Sequence, residues 1–235
     1  MKYHELNVIV LKRHNLGEAD RIITFFSPQM GKMAGVARGV RKIKSRLAGN
    51  LEPFIAIDLR LVKGKGGLDT VIGARASQVF KVERLGYDAV QAGWLMMEMT
   101  DRSTAEHQAQ DGVYELLLEC FASLAAEVPP TVVTQYFCFC LLDLLGYLPE
   151  VPISGRGSDL ELDLEHGTFS DQNRGLVSIP ITAHMLKLWK LCQMASLTDV
   201  ARVKDVLPLS KKAQAALLQF YQYRFGIEFK SLVLL

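Results

Sequence analysis

The residues with the clearest chemical potential are cations clustered near the amino terminus. Most of them lie in residues 37–50, whose sequence is ARGVRKIKSRLAGN. No acidic residue occurs between Asp20 and Glu52, so these cations have no acids nearby in the sequence with which to pair. A surface of unpaired cations attracts polyanions, because each phosphate that it contacts releases condensed counterions. The pattern predicts nucleic-acid binding by Lys32, Arg38, Arg41, Lys42, Lys44 and Arg46.

The charge of the whole chain is divided unevenly. Residues 1–84 contain sixteen Lys and Arg against seven Asp and Glu, and the remainder contains eleven against eighteen. The two parts therefore carry about +9 and −7, although the formal net charge is only +2. Gly35, Gly39 and Gly49 would let the backbone approach phosphates closely. The other interpretation of the basic stretch is a solvated, mobile loop that its charge keeps soluble.

Further residues could extend a nucleic-acid groove. Arg60, Lys63 and Lys65 add cations after the basic stretch. Phe25 and Phe26 are adjacent, so in a strand one faces inward and the other outward. The outward one, Phe26, is a candidate for stacking on unpaired bases, as are Tyr3 and Phe54. Each of these aromatic residues could instead belong to the packing of the strands.

The sequence contains no recognisable catalytic or metal-binding motif. The glycines of residues 64–67 lack the spacing of a dinucleotide-binding loop, and the five histidines form no HExxH pair. The carboxylates of residues 159–165 alternate along a predicted strand, which spreads them along a line rather than around an ion. Cys138 and Cys140 lie on different faces of a helix and are interpreted as small core residues. We therefore expect a protein that is not an enzyme and has no cofactor or metal.

Composition indicates a folded, intracellular chain. Apolar residues make up 49% and charged residues 22%, which favours a packed core over disorder. No apolar run is long enough to span a bilayer, and the amino terminus does not have the features of a signal peptide. The four cysteines have no framework spacing, which is typical of a reducing compartment. We expect a cytoplasmic location without membrane contact.

The elements that must position the cations are short strands. Alternation and β-branched residues predict five strands, at residues 6–12, 20–27, 32–38, 53–62 and 68–74. Glycines connect several of them, and the basic stretch is the long connection between the third and fourth. This pattern favours a small closed barrel of the OB type. An SH3-like barrel fits the spacing almost as well.

After residue 84 the apolar period becomes helical. Helices are predicted at residues 88–101, 113–125, 131–145, 182–194 and 210–224. Residues 151–180 interrupt them with glycines, prolines and a predicted short β-hairpin. The fold class is therefore α+β, an N-terminal five-stranded OB-type barrel followed by a helical domain with a small β-hairpin insert. The predicted domains are 1–82, then 83–150 with 181–235, and the insert 151–180.

The order of these segments resembles that of the RecO family, the bacterial recombination mediators of DNA repair. The resemblance is carried by LKRHNLGEADRIITFFSPQMGKMAGVARGVRKIKSRLAGNLEPF in the barrel, by LLDLLGYLPE and by YQYRFGIEFKSL. It implies an OB barrel, a helical domain and an insert that often holds zinc through four cysteines. This sequence departs from the family there, because no cysteine occurs between Cys140 and Cys192. The insert is therefore a degenerate zinc-finger-like region without cysteine ligands.

The resemblance also implies activity and partners. Members bind single- and double-stranded DNA, anneal complementary strands and help to load the recombinase on DNA covered by single-strand-binding protein (SSB). They work with the partner RecR and contact the acidic, apolar C-terminal tail of SSB through the helical domain. A nucleoid-associated location follows from that activity. The candidate residues for the tail are Tyr136, Leu141, Leu145, Tyr147, Lys187 and Arg224. The other interpretation is that the apolar residues among them simply form core.

Two other functions fit the same residues. Basic loops do not distinguish DNA from RNA, so the barrel could belong to an RNA- or ribosome-binding module. The chain could also be a protein-interaction scaffold whose basic loop meets an acidic partner.

Overall fold

The fold begins with a closed β-barrel. In a computed structural model, residues 3–64, 67–152, 159–171 and 177–232 are described. The five strands bond in the cyclic order β1-β2-β3-β5-β4, in which β3 and β5 run parallel. A five-stranded Greek-key barrel is an OB fold, so the predicted barrel and the α+β class are confirmed. The strands are β1 (Tyr3–Leu16), β2 (Asp20–Ser27), β3 (Gly31–Ala37), β4 (Ile55–Val62) and β5 (Asp69–Val79).

Strand β1 is apolar on both faces over part of its length. Leu6, Val8 and Val10 point into the barrel core, as their alternation predicted. Ile9 and Leu11 point outward and are equally buried, because they pack against the helices that follow. The outer wall of the barrel is therefore covered on this side.

Helices dominate the rest of the chain. They are α1 (Tyr87–Ser103), α2 (Val113–Ala125), α3 (Pro130–Leu144), α4 (Ala183–Met194), α5 (Leu197–Ala201) and α6 (Val206–Phe225). The short α5 was not predicted. Helix α6 starts four residues before its predicted start, and Pro208 is tolerated there because the first turn needs no amide donors. Among the described residues, no helix has both the length and the apolar character required to cross a membrane.

The insert is a three-stranded sheet, so the predicted hairpin was incomplete. Its strands are β6 (Leu160–Asp163), β7 (Thr168–Ser170) and β8 (Ser178–Ile181), in the order β7-β6-β8. Strand β8 pairs with β6 over four residues, although the two are far apart in sequence. A hairpin alone would leave the second edge of β6 unpaired.

The outer wall of the barrel and the helices share one hydrophobic core, which is separate from the core inside the barrel. Phe26, Phe54 and Phe80 from the barrel side pack in the same buried cluster as α1, α2 and α3. Phe54 has a left-handed backbone, with φ of 59°, and its ring meets the backbone of α1 at Gly93. A Cβ at Gly93 would overlap that ring, so glycine is required there. The core contact fixes the barrel relative to the helices.

Candidate nucleic-acid interface

The basic segment, residues 37–50, connects β3 to β4 and presents five exposed cations to solvent. The first part of the segment forms turns, and the segment ends in a single turn of 3₁₀ helix at Ala48–Asn50. None of the five takes part in a salt bridge within the described parts of the chain, so their charges are uncompensated. They are Arg38, Arg41, Lys42, Lys44 and Arg46.

The start of the basic segment is fixed to the turn between β1 and β2. The backbone amide of Arg41 donates to the carbonyl of Ala19 at 3.0 Å, and its guanidinium donates to the carbonyl of Gly17 at 3.1 Å. The amide of Gly39 donates to the carboxylate of Asp20 at 2.7 Å. From the sequence, Asp20 was predicted as the first residue of a strand and as the start of the acid-free stretch, and this anchoring role was not predicted. Asp20 and Gly39 are 19 positions apart, so no local pattern along the sequence reveals this contact.

The end of the basic segment is also fixed. Val40 and Leu51 are both buried in the barrel core, one on each side of the exposed stretch. The side-chain oxygen of Asn50 accepts a hydrogen bond from the amide of Ala76 on β5 at 3.3 Å. The next acid along the sequence, Glu52, is paired with Arg13 at 2.6 Å. The cations therefore project from a segment anchored at both ends.

Strand register brings three connections to one end of the barrel. Arg21 pairs with Ala37, which places the β1–β2 turn beside the start of the basic segment. Val36 pairs with Thr70, which places the β4–β5 connection there too. Lys63 is exposed in that connection. Lys65 lies outside the described residues.

Arg60 is exposed on β4 but is not a free cation. Its guanidinium donates to Glu5 at 2.6 Å and lies 5.8 Å from the ring centre of Tyr3, which is itself exposed. On the same wall Arg75 pairs with Asp58 at 2.8 Å. These pairs line a shallow depression on β1, β4 and β5, and their charges largely cancel.

Lys32 is a correction to the predicted set. Its ammonium donates to the backbone carbonyl of Asp101 at 2.5 Å and lies 3.8 Å from the carboxylate of the same residue. The side chain is 13% exposed, and Lys12 pairs with the same carboxylate at 2.6 Å. Lys32 therefore joins the barrel to α1 and is not one of the free, exposed cations.

Phe26 is a second correction. It faces out of the barrel, as alternation predicted, but it is 0% exposed because the helices cover that wall. Phe54 is buried as well, and its ring lies edge-on to Trp94 at 5.8 Å and to Phe121 at 5.5 Å. Neither ring can stack on a base. Tyr3 is the exposed one of the three aromatic candidates.

The candidate residues for a partner peptide are divided between core and surface. Tyr136 and Leu141 are buried, which corrects their assignment to a peptide pocket, and Leu145 is partly buried. Tyr147 and Arg224 are exposed, with the guanidinium 5.5 Å from the centre of the Tyr147 ring. Lys187 is exposed on α4, without a hydrogen bond, ion pair or ring contact to either of them among the residues described.

The cysteines are packed among the helices. Burial raises the pKa of the Cys192 thiol to about 12 and also raises the pKa of the Cys138 and Cys140 thiols. Thiols of this kind stay protonated at neutral pH, whereas a nucleophile or metal ligand must lose its proton. The described part of the chain contains no group of three or more His, Cys, Asp or Glu placed to hold a metal ion.

In the insert, His166 and Asp163 form a surface pair. The imidazole Nδ1 lies 2.9 Å from the Asp163 carboxylate, and this hydrogen bond raises the pKa of His166 above its usual 6.5. The carboxylate also accepts from the amides of Glu165 and His166. The pair closes the turn between β6 and β7, which is a structural role.

Comparisons with known proteins cover nearly the whole chain. Residues 1–80 match the family model described as "Recombination protein O N terminal", and residues 84–232 match the one described as "Recombination protein O C terminal". A protein of a Nocardioides species named DNA repair protein RecO is 37% identical over 172 residues, which is 72% of this chain and 70% of that protein. A protein of the same name from Dehalococcoides mccartyi is 28% identical over 205 residues, 83% of this chain and 80% of its own.

Proposed function

Since the chain belongs to the RecO family through both its barrel and its helical region, we propose that it is a DNA-binding recombination mediator in DNA repair. It binds single- and double-stranded DNA, promotes annealing, and assists recombinase loading on DNA covered by SSB. It acts by binding rather than by catalysis, at the nucleoid. The partners of this activity are RecR and the SSB tail.

The observation that carries the proposal is the anchored basic segment. Its five cations are exposed and uncompensated, and hydrogen bonds fix the segment at both ends. A cation that already has an acidic partner gains less from a phosphate, because the first pair must be broken. Arg60, with Glu5 beside it, is an example of such a paired cation. The cations of the basic segment can bind phosphates without first breaking a pair with an acid.

Annealing follows from the same charges. Two complementary strands repel each other through their phosphates, and this repulsion must be screened before the bases can pair. A protein surface that neutralises several phosphates on each strand lowers the barrier to approach. No bond is made or broken in the DNA backbone, so the process needs no catalytic residue. Lys63, at the same end of the barrel, would extend the neutralised track.

A salt titration tests this function. Replacing all five cations, Arg38, Arg41, Lys42, Lys44 and Arg46, with alanine should weaken binding to single-stranded DNA. Because about 0.7 counterion is released per phosphate contact, the slope of log K against log salt should become shallower by about 3.5. The measurement is fluorescence anisotropy of a labelled oligonucleotide between low and moderate salt.

The matched control removes five exposed cations of the helical region, namely Lys187, Arg202, Lys204, Lys211 and Lys212. This control variant has the same net charge as the basic-segment variant. Because its basic segment is intact, its affinity for single-stranded DNA should stay close to that of the wild type. Equal salt slopes for the wild type and the basic-segment variant would contradict the proposal. Tighter binding of RNA than of DNA of equal sequence would favour the RNA-binding alternative.

The SSB tail is proposed to bind at the surface formed by Tyr147 and Arg224, with Leu145 beside it and Lys187 as a further cation. An acidic, apolar peptide requires an aromatic surface beside a cation, and the Arg224 guanidinium lies over the Tyr147 ring. We expect Arg224→Ala to weaken binding of the tail peptide about tenfold, as the loss of one charge-assisted hydrogen bond would.

Anisotropy of a labelled tail peptide measures this loss. Arg202→Ala is the control, because Arg202 is also an exposed arginine of the helical region and its acidic neighbour, Asp199, lies 3.8 Å away on the surface. If Arg224→Ala folds correctly and binds the peptide as tightly as the wild type, the peptide site lies elsewhere.

A further inference from the structure

An apolar side chain occupies the tip of the basic segment. Ile43 is 105% exposed, more than any other large apolar side chain in the described parts of the molecule. The next in order, Met194, is 87% exposed and lies at the end of α4. Lys42 and Lys44 flank Ile43 directly, and Arg41 and Arg46 follow on either side. Ile43 therefore lies at the centre of the uncompensated charge.

Backbone hydrogen bonds hold Ile43 at this tip. The amide of Ser45 donates to the carbonyl of Lys42 at 2.9 Å, which makes Ile43 and Lys44 the two central residues of a β-turn. A second turn precedes it, because the amide of Lys42 donates to the carbonyl of Gly39 at 3.1 Å. Val40, a central residue of this preceding turn, is buried in the barrel core, so the tip projects from an anchored base.

The apolar side chain of Ile43 does not stabilise the fold, and a polar residue at this position would serve equally well. Ile43 is fully solvated, so it adds no core packing, and turn positions are usually occupied by Gly, Pro, Asn, Asp or Ser. Its exposed apolar surface is stabilised only when another apolar surface covers it. In DNA that surface is the face of a base, which becomes accessible where two neighbouring bases separate. The phosphates lie beside the bases, where the flanking cations can reach them.

We propose that Ile43 inserts between adjacent bases of single-stranded DNA and unstacks them. The cations of the basic segment hold the phosphates on both sides, and the aliphatic side chain enters the base step as a wedge. A strand held unstacked in this way offers the hydrogen-bonding edges of its bases to a complementary strand. The proposal rests on the DNA-binding function proposed above, and adds the residue that contacts the bases.

The test uses the full chain and an oligodeoxynucleotide that carries 2-aminopurine, whose emission rises when it is unstacked. At saturating protein the wild type should raise the emission, and Ile43→Ser should not. Ile43→Ser should also weaken binding about three- to tenfold, because the apolar contact is lost while the charges remain. Ile43→Leu should retain both properties. Met194→Ser, which removes an exposed apolar residue elsewhere, should behave as the wild type.

The outcomes separate the wedge from the binding function. If the wild type binds in a salt-dependent manner but causes no rise in emission, the wedge is refuted and DNA binding stands. The same conclusion follows if Ile43→Ser matches the wild type in both emission and affinity. If the wild type fails to bind the oligonucleotide at low salt, the binding function and the wedge fail together. If Ile43→Ser loses only its binding to vesicles of phosphatidylserine and phosphatidylcholine, the apolar tip contacts a membrane surface instead.

Discussion

At the scale of single residues, neighbours far away in the sequence decide which aromatic side chains can meet a ligand. Phe26 and Phe54 have the residue type and the position expected of base-stacking residues, yet both are buried against helices. Tyr3 has the same type and is exposed. The ring of Phe54 lies against Gly93, where the helix has no side chain, and connects the barrel to α1 and α2.

We expect Phe54→Ala to lower the free energy of unfolding by about 3–5 kcal/mol, because it leaves a cavity between the barrel and the helices. Chemical denaturation followed by circular dichroism measures this change. Tyr3→Ala, the control, should change the free energy by less than about 0.5 kcal/mol. A Phe54→Ala protein of unchanged stability with weaker DNA binding would restore Phe54 as a stacking residue.

At the scale of elements, the edge of β3 carries a contact that no periodic pattern predicts. Lys32 forms a parallel bridge with Glu106, and the amide of His107 donates to the carbonyl of Lys32 at 2.8 Å. The connection between α1 and α2 therefore lies along the start of β3. Gly31 permits this contact, because a Cβ there would lie 1.9 Å from the carbonyl oxygen of Gln108.

Gly31→Ala should therefore destabilise the protein by about 3 kcal/mol or more, through both its φ of 68° and the overlap with a backbone atom. Gly17→Ala is the matched control, since Gly17 has a φ of 59° with no atom near the position of a Cβ. Gly17→Ala should lower the free energy of unfolding by only about 1 kcal/mol, because the alanine must adopt a left-handed conformation. If thermal denaturation shows equal losses of stability for Gly31→Ala and Gly17→Ala, the chain between α1 and α2 moves away from the added methyl group easily.

At the scale of the whole molecule, the barrel and the helices depend on each other. Apolar residues on the outer wall of the barrel lie in the same core cluster as the helices, and the partly buried carboxylate of Asp101 pairs with both Lys12 and Lys32. The domain boundary at residue 82 remains a prediction. If the chain is cut there, the wall that the helices cover becomes exposed.

We expect a fragment of residues 1–82 to bind the dye ANS and to self-associate, because a contiguous apolar surface is then open to water. Dye fluorescence and sedimentation velocity measure these effects, and the full chain under the same conditions is the reference. A fragment that stays monomeric and binds no dye would show that the barrel is independent. Because the fragment is expected to self-associate, DNA-binding assays should use the full chain.

Residue types and their spacing predicted the α+β class, four of the six helices closely, the segment that carries the cations and a five-stranded barrel, although they left the OB and SH3-like types open. These follow from local signals, because apolar periodicity and the absence of nearby acids are both readable along the chain. The tertiary structure alone decided that Lys32 and Phe26 face the helices, that β8 completes the sheet of the insert, and that Ile43 is fully exposed. Each depends on a contact, or the lack of one, between segments distant in sequence, and alternation along a strand cannot reveal what covers its outer face.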